Sequence, residues 1–118
     1  MTNILITGIT GFIGSHLAQS LSKNNTVYGI HRSIKHESVF DALNLNKNKN
    51  INLINGDVNN REFIEEMIYQ YNIDQIYHLA AKVIVKDAAK SPTSTIYTNA
   101  FGTLNILECL RLLKIYEN

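Results

Sequence analysis

The stretch that decides the fold is residues 3–17, which read Asn-Ile-Leu-Ile-Thr-Gly-Ile-Thr-Gly-Phe-Ile-Gly-Ser-His-Leu. The first five residues form a short apolar run without polar alternation, which predicts a strand that is buried on both faces. Three glycines, Gly8, Gly11 and Gly14, follow at intervals of three residues. From Ile13 onward apolar residues recur at helical spacing. The stretch therefore predicts a strand, a glycine turn and a helix in direct succession.

Each glycine has its own expected task in this turn. Gly8 allows a sharp change of direction after the strand, Gly11 leaves the backbone open to a phosphate, and Gly14 allows the helix to pack closely. The free N–H groups and the positive dipole end at the start of a helix attract phosphate groups. Because the glycines lie between a strand and a helix, we expect the loop to bind the pyrophosphate of a dinucleotide. A tight turn without any ligand is the alternative.

Strand-like and helix-like segments alternate along the rest of the chain. Further strands are predicted at residues 26–30, 51–54 and 76–80, a short helix near 38–43, a solvated loop at 44–50, a helix capped by Asn60, and a long helix from Ser91-Pro92 to about Tyr116. Such alternation predicts an α/β fold with a doubly wound parallel sheet in the strand order 3-2-1-4. The ligand crevice is expected between strands 1 and 4.

Length and composition limit the possible classes of protein. The 118 residues suffice for one domain, residues 1–118, and 45% hydrophobic with 18% charged residues excludes a disordered chain. A net charge of +1 argues against a nucleic-acid partner. The single cysteine, Cys109, excludes an intrachain disulfide and a cysteine-based metal site, and we expect no metal and a reducing, cytoplasmic compartment. No signal peptide or membrane-spanning run is expected, hence no membrane partner.

Four motifs together resemble the extended short-chain dehydrogenase/reductases. They are Gly8–Gly14 with its Phe12-Ile13, then Gly56-Asp57-Val58, then His78-Leu79-Ala80-Ala81, and finally the run from Asn99 to Asn105. More closely, the chain resembles the nucleotide-sugar epimerases and 4,6-dehydratases, and in particular the GDP-mannose 4,6-dehydratase branch. The resemblance implies a Rossmann-type fold that binds NAD(P), with Thr10, Phe12 and Ile13 joining the three glycines in the cofactor loop.

The resemblance also implies that the residues after the second strand select the cofactor. An acidic residue there would bind the ribose of NAD, but this strand ends in His31, Arg32 and Ser33. Because Arg32 can offer a bidentate guanidinium to a 2′-phosphate and Ser33 a hydroxyl, we expect NADP to be preferred, with NAD as a possible cofactor. The alternatives are that Arg32 is a solvated charge and that His31 is simply packed or solvated.

Two further motifs carry implied cofactor contacts. Asp57 would accept a hydrogen bond from the adenine amino group and Val58 would contact the ring, although Asp57 also suits a turn residue. The small residues Ala80 and Ala81, with Leu79, would leave space for the cofactor's ribose and diphosphate. His78 is expected to pack in or near the sheet.

Two polar residues lie beyond these motifs. Lys82 is either a cation on the substrate side or a solvated residue. Asn99 would support the active-site geometry by a hydrogen bond inside the domain, or would be an amide on the helix surface.

Two departures from the family pattern matter. Val83 and Ile84 stand where 4,6-dehydratases usually carry a polar Ser-His pair. None of the six tyrosines has a lysine four residues later, so the catalytic Tyr-x-x-x-Lys segment, the fifth strand and the substrate region are all expected to lie outside these residues. No catalytic residue is therefore assigned, and a nucleotide-sugar substrate is expected only in a complete enzyme.

These observations lead to three functional hypotheses. The first is the dinucleotide-binding part of an NAD(P)-dependent nucleotide-sugar epimerase or dehydratase, in which a hydride would pass between sugar and cofactor. The second is a stand-alone, non-catalytic NAD(P)-binding or redox-sensing module, and the third an interaction role for the last helix.

The sequence predicts that one face of the last helix, formed by Ile96, Ala100, Leu104 and Leu107, packs on the sheet. Further apolar residues on that helix, and the open edge of the fourth strand, predict self-association.

Overall fold

The computed structural model describes residues 2–32, 39–80, 100 and 102–113. The elements, in chain order, are β1 Asn3–Thr7, α1 Phe12–Leu21, β2 Thr26–His31, α2 Val39–Ala42, a short 3₁₀ helix Leu45–Lys47, β3 Ile51–Asn55, α3 Arg61–Gln70, β4 Gln75–His78 and α4 Gly102–Leu113. The predicted strands and the first helices agree with these bounds to within two residues. The predicted helix start at Ser91-Pro92 lies outside the described residues.

The four strands form one parallel sheet in the spatial order β3-β2-β1-β4. β1 pairs with β2 on one side and with β4 on the other, so that Thr7 lies between Ile30 and His78. This confirms the predicted order 3-2-1-4 and the Rossmann-type fold. The chain crosses from one half of the sheet to the other through α3, which connects β3 to β4, so the strand order reverses between β1 and β4. In sheets of this type the carboxyl ends of the strands at that point are where a ligand binds.

The sheet separates two apolar cores, and β1 contributes to both because its side chains alternate between the faces. Ile4 and Ile6 pack with Ala18 of α1 and Phe40 of α2 on one face. Leu5 packs on the other face, in a core that also contains Ile64, Met67 and Ile68 of α3 and Ile106 and Cys109 of α4. Since β1 is covered on both sides, its residues Ile4 to Thr7 are all buried, as its unbroken apolar run predicts.

The asparagine-rich segment 44–50 is more structured than the sequence indicates. Leu45 is only 2% exposed and lies in the core shared with α1 and α2. Asn48 Nδ2 donates to Ser22 Oγ at 3.0 Å, and Asn50 Nδ2 donates to the Ser22 carbonyl oxygen at 2.8 Å. The segment thus holds the C-terminal end of α1, where Ser22 is the capping residue. The prediction of a solvated loop holds for Asn44, Asn46, Lys47 and Lys49, which are exposed. It was wrong for Leu45, because one leucine in a polar run produces no periodic signal.

Helix α4 buries a different face from the predicted one. Leu104 and Leu107 are 48% and 58% exposed, whereas Gly102, Ile106 and Cys109 are buried. The predicted face was therefore wrong within the described part of the helix. Gly102 and Cys109 are small residues, which lets the helix approach its neighbours closely. The leucine pattern instead marks the outward side.

Candidate functional site

Two glycines of the turn between β1 and α1 leave no room for a side chain. Gly8 has a φ of +73°, and a Cβ there would lie 2.8 Å from the backbone of Leu79 and Ala80. At Gly14 a Cβ would overlap the carbonyl oxygen of Gly8. The fold of the chain itself therefore requires glycine at both positions, since the obstructing atoms belong to the backbone.

Gly11 differs because packing within the described chain does not exclude a side chain there. Its φ of −74° and ψ of 175° are open to any residue. A Cβ would meet only the Gly8 carbonyl oxygen, at an ordinary contact distance of 3.4 Å. Gly11 is also exposed. The missing side chain leaves open space in front of the loop into which a ligand can approach the backbone.

The first turn of α1 presents backbone donors to this space. The first helical hydrogen bond runs from the Ser15 N–H to the Gly11 carbonyl oxygen at 2.9 Å, and no side chain caps the turn. Within the described residues, the N–H groups of Phe12, Ile13 and Gly14 have no acceptor. Their donors and the positive end of the helix dipole favour an anion. The side chains of Phe12 and Ile13 are about two-thirds exposed beside it.

The loop is anchored from below. Ser15 Oγ donates to the Ile9 carbonyl oxygen at 2.7 Å, inside the protein. The Ile9 side chain occupies the space over Gly29, where a Cβ would overlap it. Thr10 lies half-buried in the same loop. These contacts attach the loop to the body of the protein on the side away from the open space.

Arg32 and Asp57 meet where β2 and β3 end. Arg32 Nε lies 3.5 Å from Asp57 Oδ2, and the two side chains are 64% and 37% exposed. Asp57 Oδ1 also accepts a hydrogen bond from the Asn59 N–H at 2.9 Å, so the turn-forming alternative holds for Asp57. The turn is tied to β2 because the Gly56 N–H donates to the His31 carbonyl oxygen at 2.9 Å. Such an exposed ion pair adds little stability, which leaves the guanidinium available to a ligand.

His31 lies at the end of β2, next to this pair. Its Nδ1 is buried and has no hydrogen-bond partner within the described part of the chain. Burial lowers the pKa of His31 from its usual value. Burial therefore favours the neutral form of the imidazole, whereas an acidic residue at this position would carry a negative charge.

A hydrogen-bond cluster on Thr7 organises the end of β4. Thr7 Oγ1 is fully buried, lies 2.7 Å from His78 Nδ1, and accepts hydrogen bonds from the N–H groups of Leu79 at 3.0 Å and Ala80 at 3.1 Å. The strand ends at His78, two residues before its predicted end. The Leu79 N–H is shared between the Thr7 carbonyl oxygen, at 3.1 Å, and Thr7 Oγ1, and the Ala80 N–H donates to Thr7 Oγ1. His78 is half-buried, and burial lowers its pKa. It packs at the sheet as expected, while Leu79 and Ala80 form the wall beside Gly8.

Helix α4 reaches the turn after β3 through Asn105. Its Nδ2 donates to the Val58 carbonyl oxygen at 3.1 Å. Val58 is only 5% exposed, and a Cβ on Gly102 would lie 3.1 Å from its Cγ2. The sequence did not point to Asn105, or to Thr7 as a side chain that bonds to three groups at the end of β4. Both residues nevertheless lie within or beside the motifs that carry the family resemblance.

Four expected site residues, Ser33, Ala81, Lys82 and Asn99, lie outside the described residues. Across the residues that the structure does describe, no group of three or more His, Cys, Asp or Glu side chains is arranged to hold a metal ion. In that same part of the chain, no helix combines the length and apolarity needed to span a bilayer. The described site therefore consists of the glycine turn, the Arg32–Asp57 pair and the end of β4.

Comparison with known proteins identifies the family. The family model described as GDP-mannose 4,6 dehydratase matches residues 5–118. A putative UDP-glucose 4-epimerase of Methanocaldococcus jannaschii is 31% identical over 92% of this chain and 33% of its own length. A GDP-mannose 4,6-dehydratase of Sordaria araneosa is 36% identical over 92% of this chain and 20% of its own.

Solved structures agree with the sequence relatives. The UDP-glucose 4-epimerase of Thermus thermophilus, solved as a complex with NAD, superimposes with a TM-score of 0.78 at 26% identity, over 97% of this chain and 35% of that one. The chain thus spans a third or less of the length of these two curated relatives, and matches their N-terminal cofactor-binding region. It belongs to the GDP-mannose 4,6-dehydratase family of nucleotide-sugar epimerases and dehydratases, within the extended short-chain dehydrogenase/reductases.

Proposed function

We propose that residues 1–118 form a dinucleotide-binding domain that takes NAD(P) at the crevice between β1 and β4. One observation carries the proposal. The backbone conformation of Gly11 and the space around it would accept a side chain, yet the residue is glycine. It directly precedes the first turn of α1, whose N–H donors are open. A pyrophosphate that approaches the backbone accounts for both features.

The remaining site residues divide along the proposed ligand. The N–H groups of the first α1 turn would hold the pyrophosphate, with Thr10, Phe12 and Ile13 around it. Arg32 and Asp57 would meet the adenosine end, and Val58 would support it from beneath. Leu79 and Ala80, with Ala81, would line the ribose and diphosphate, and Lys82 and Asn99 would lie toward the nicotinamide. When bound, the dinucleotide would supply hydride transfer.

We further propose that NADP is preferred over NAD. Support comes from the absence of an acidic residue in the sequence at 29–33 and from the exposed guanidinium of Arg32. A related epimerase was solved with NAD, which makes this preference a property of the present sequence rather than of the family. A charge-assisted contact to the 2′-phosphate contributes roughly 1.5–3 kcal/mol, or one to two decades of affinity.

Titration calorimetry with NADP⁺ and NAD⁺ tests both proposals. We expect binding of both, tighter for NADP⁺, and loss of most of the difference in Arg32→Ala. Lys23→Ala, which removes an exposed cation beyond the other end of α1, is the matched control and should keep the preference. Equal affinities in the unaltered chain contradict the NADP preference. No binding of either dinucleotide at millimolar concentration contradicts the proposed function and favours an interaction role.

For the whole protein we propose a nucleotide-sugar epimerase or 4,6-dehydratase of which this chain supplies the cofactor-binding part. The 118 residues alone are expected to bind cofactor without turnover, because the sequence contains no Tyr-x-x-x-Lys. The alternative is a stand-alone NAD(P)-binding or redox-sensing module. A Tyr-x-x-x-Lys in the reading frame beyond residue 118 supports the enzyme, and conversion of a nucleotide-sugar by the purified chain contradicts the expected lack of turnover.

Self-association and a cytoplasmic location complete the proposal. Leu104, Leu107 and Leu112 are about half-exposed on one helix, and β4 borders the described sheet, so that copies of the chain can associate through either surface. Light scattering across a concentration series should show oligomers, and a monomer at high micromolar concentration contradicts this. The single, buried Cys109 suits a reducing compartment.

A further inference from the structure

The turn after β3 is fixed by contacts on three sides. On the β2 side the Gly56 N–H donates to the His31 carbonyl oxygen at 2.9 Å. Within the turn, Asp57 accepts twice, from the Asn59 N–H at its Oδ1 and from the Asn60 N–H at its carbonyl oxygen, at 2.9 and 3.0 Å. These bonds determine the local shape of the turn but leave its distance from α4 open.

Asn105 supplies the third contact, and it is a long-range one. Its Nδ2 donates to the Val58 carbonyl oxygen at 3.1 Å, across 47 residues of sequence. Gly102, one helical turn earlier, allows this approach, because a Cβ there would already press on Val58 Cγ2 at 3.1 Å. Helix α4 therefore meets the buried Val58 at two points: Gly102 lies close to its side chain, and Asn105 donates to its carbonyl oxygen.

Val58 directly follows Asp57, whose carboxylate lies 3.5 Å from Arg32 Nε. The Val58 carbonyl group and the Asn59 N–H belong to one planar peptide unit, and that N–H donates to Asp57 Oδ1 at 2.9 Å. A displacement of the Val58 carbonyl therefore also moves the donor that holds the Asp57 carboxylate. The bond from Asn105 therefore sets where the carboxylate stands relative to Arg32. The Cys109 thiol of the same helix donates to the Arg61 carbonyl oxygen at 3.4 Å, three residues farther on.

We propose that Asn105 is a positioning residue for the adenosine end of the dinucleotide site, acting through the Val58 carbonyl on Asp57. This inference rests on the proposed function. Asn105 touches no ligand in this scheme. It holds the turn in the binding geometry, so that the dinucleotide meets Asp57 and Arg32 already in place.

The test compares Asn105→Leu with Leu107→Ala. Leucine nearly matches the size and branching of asparagine but has no N–H donor, whereas Leu107 is 58% exposed on the same helix and serves as the control. NADP⁺ and AMP are titrated at a temperature at which thermal unfolding curves show every variant folded. We expect both ligands to bind Asn105→Leu about three- to tenfold more weakly, the effect of one lost hydrogen bond. Leu107→Ala should match the unaltered chain.

Two further readouts separate positioning from a purely structural role. Without ligand, the backbone amide resonances of Asp57 and Val58 should shift in Asn105→Leu, and Asn105→Gln, which keeps a donor, should recover part of the affinity. If Asn105→Leu does not fold, Asn105→Ala takes its place. A folded donor-free variant that binds NADP⁺ and AMP as tightly as the unaltered chain overturns the inference while the proposed function stands. An unaltered chain that binds neither ligand overturns both.

Discussion

The glycine turn allows the needs of the fold and those of the ligand to be separated by substituting one glycine at a time. A Cβ at Gly14 overlaps the Gly8 carbonyl group, a backbone obstacle that cannot swing away. Gly14→Ala should therefore destabilise the chain by roughly 1–3 kcal/mol. With about 4 °C or more of midpoint per kcal/mol, the unfolding midpoint falls by roughly 5–15 °C. Gly11→Ala meets one atom at 3.4 Å, and should cost about 1 kcal/mol or less as a poorer helix cap.

Ligand binding, unlike stability, should depend strongly on the substitution at Gly11. Gly11→Val adds a branched side chain where the pyrophosphate would approach the first-turn N–H groups of α1. Loss of even one charge-assisted hydrogen bond of about 1.5–3 kcal/mol weakens NADP⁺ binding by at least about tenfold. Thermal unfolding measures the stability of all three variants, and titration calorimetry with NADP⁺ measures the affinity of those that remain folded.

Two results would refute this reasoning. A folded Gly11→Val chain with undiminished NADP⁺ affinity places the pyrophosphate elsewhere. A Gly11→Ala chain as unstable as Gly14→Ala shows that Gly11 serves the internal packing, which removes the observation that carries the proposed function. Gly11→Ala should lie between the unaltered chain and Gly11→Val in affinity, because its side chain is smaller.

Other regions of the molecule yield further predictions. Thr7→Val should lower the free energy of unfolding by about 1–3 kcal/mol because it orphans the Ala80 N–H, and Thr7→Ser should restore it, as urea titrations can measure. Burial lowers the pKa of His78, so the unfolded chain takes up the proton first and stability should fall as the pH drops below about 6.5; His78→Asn should flatten this decline, and an unchanged slope argues against it. Leu45→Ala should destabilise the chain by about 2–5 kcal/mol. A change near zero would show that Leu45, too, belongs to a solvated loop. Burial raises the pKa of Cys109 to about 11, so the thiol should react with a disulfide reagent at neutral pH only on unfolding, and rapid reaction in the folded chain contradicts its burial.

The parts of the fold that the sequence predicts are those with a local pattern. The unbroken apolar run of β1 indicates a strand covered on both faces, and the alternation of strands and helices restricts the sheet to a parallel order with crossovers. Gly8 and Gly14 are recognisable because a sharp turn followed at once by a helix needs backbone contact that only glycine permits. Asn60 likewise caps α3, where its side chain accepts from the Phe63 N–H at 3.2 Å.

The parts that escape the sequence depend on which distant groups meet. Leu45 is buried because it joins the core that contains Phe40 of α2 and Ile51 of β3, which no periodicity within 44–50 records. The buried residues of α4 are Gly102, Ile106 and Cys109, and not the predicted Leu104 and Leu107. Thr7 and Asn105 bond across 71 and 47 residues respectively. Residue spacing shows that such polar side chains exist, but only the folded chain shows their partners.

The hydrogen bonds of the Thr7 hydroxyl group bear on which ring nitrogen of His78 carries the hydrogen. A threonine hydroxyl has two lone pairs and one proton. The amides of Leu79 and Ala80 both donate to this oxygen, and the Leu79 N–H also donates to the Thr7 carbonyl oxygen. This arrangement favours a hydroxyl proton directed at His78 Nδ1, with that nitrogen as the acceptor. The arrangement favours the tautomer of His78 that carries its hydrogen on Nε2. An imidazolium would bring a further donor to an oxygen that already accepts two hydrogen bonds. Together with the burial that lowers the pKa of His78, this favours a neutral ring at the end of β4.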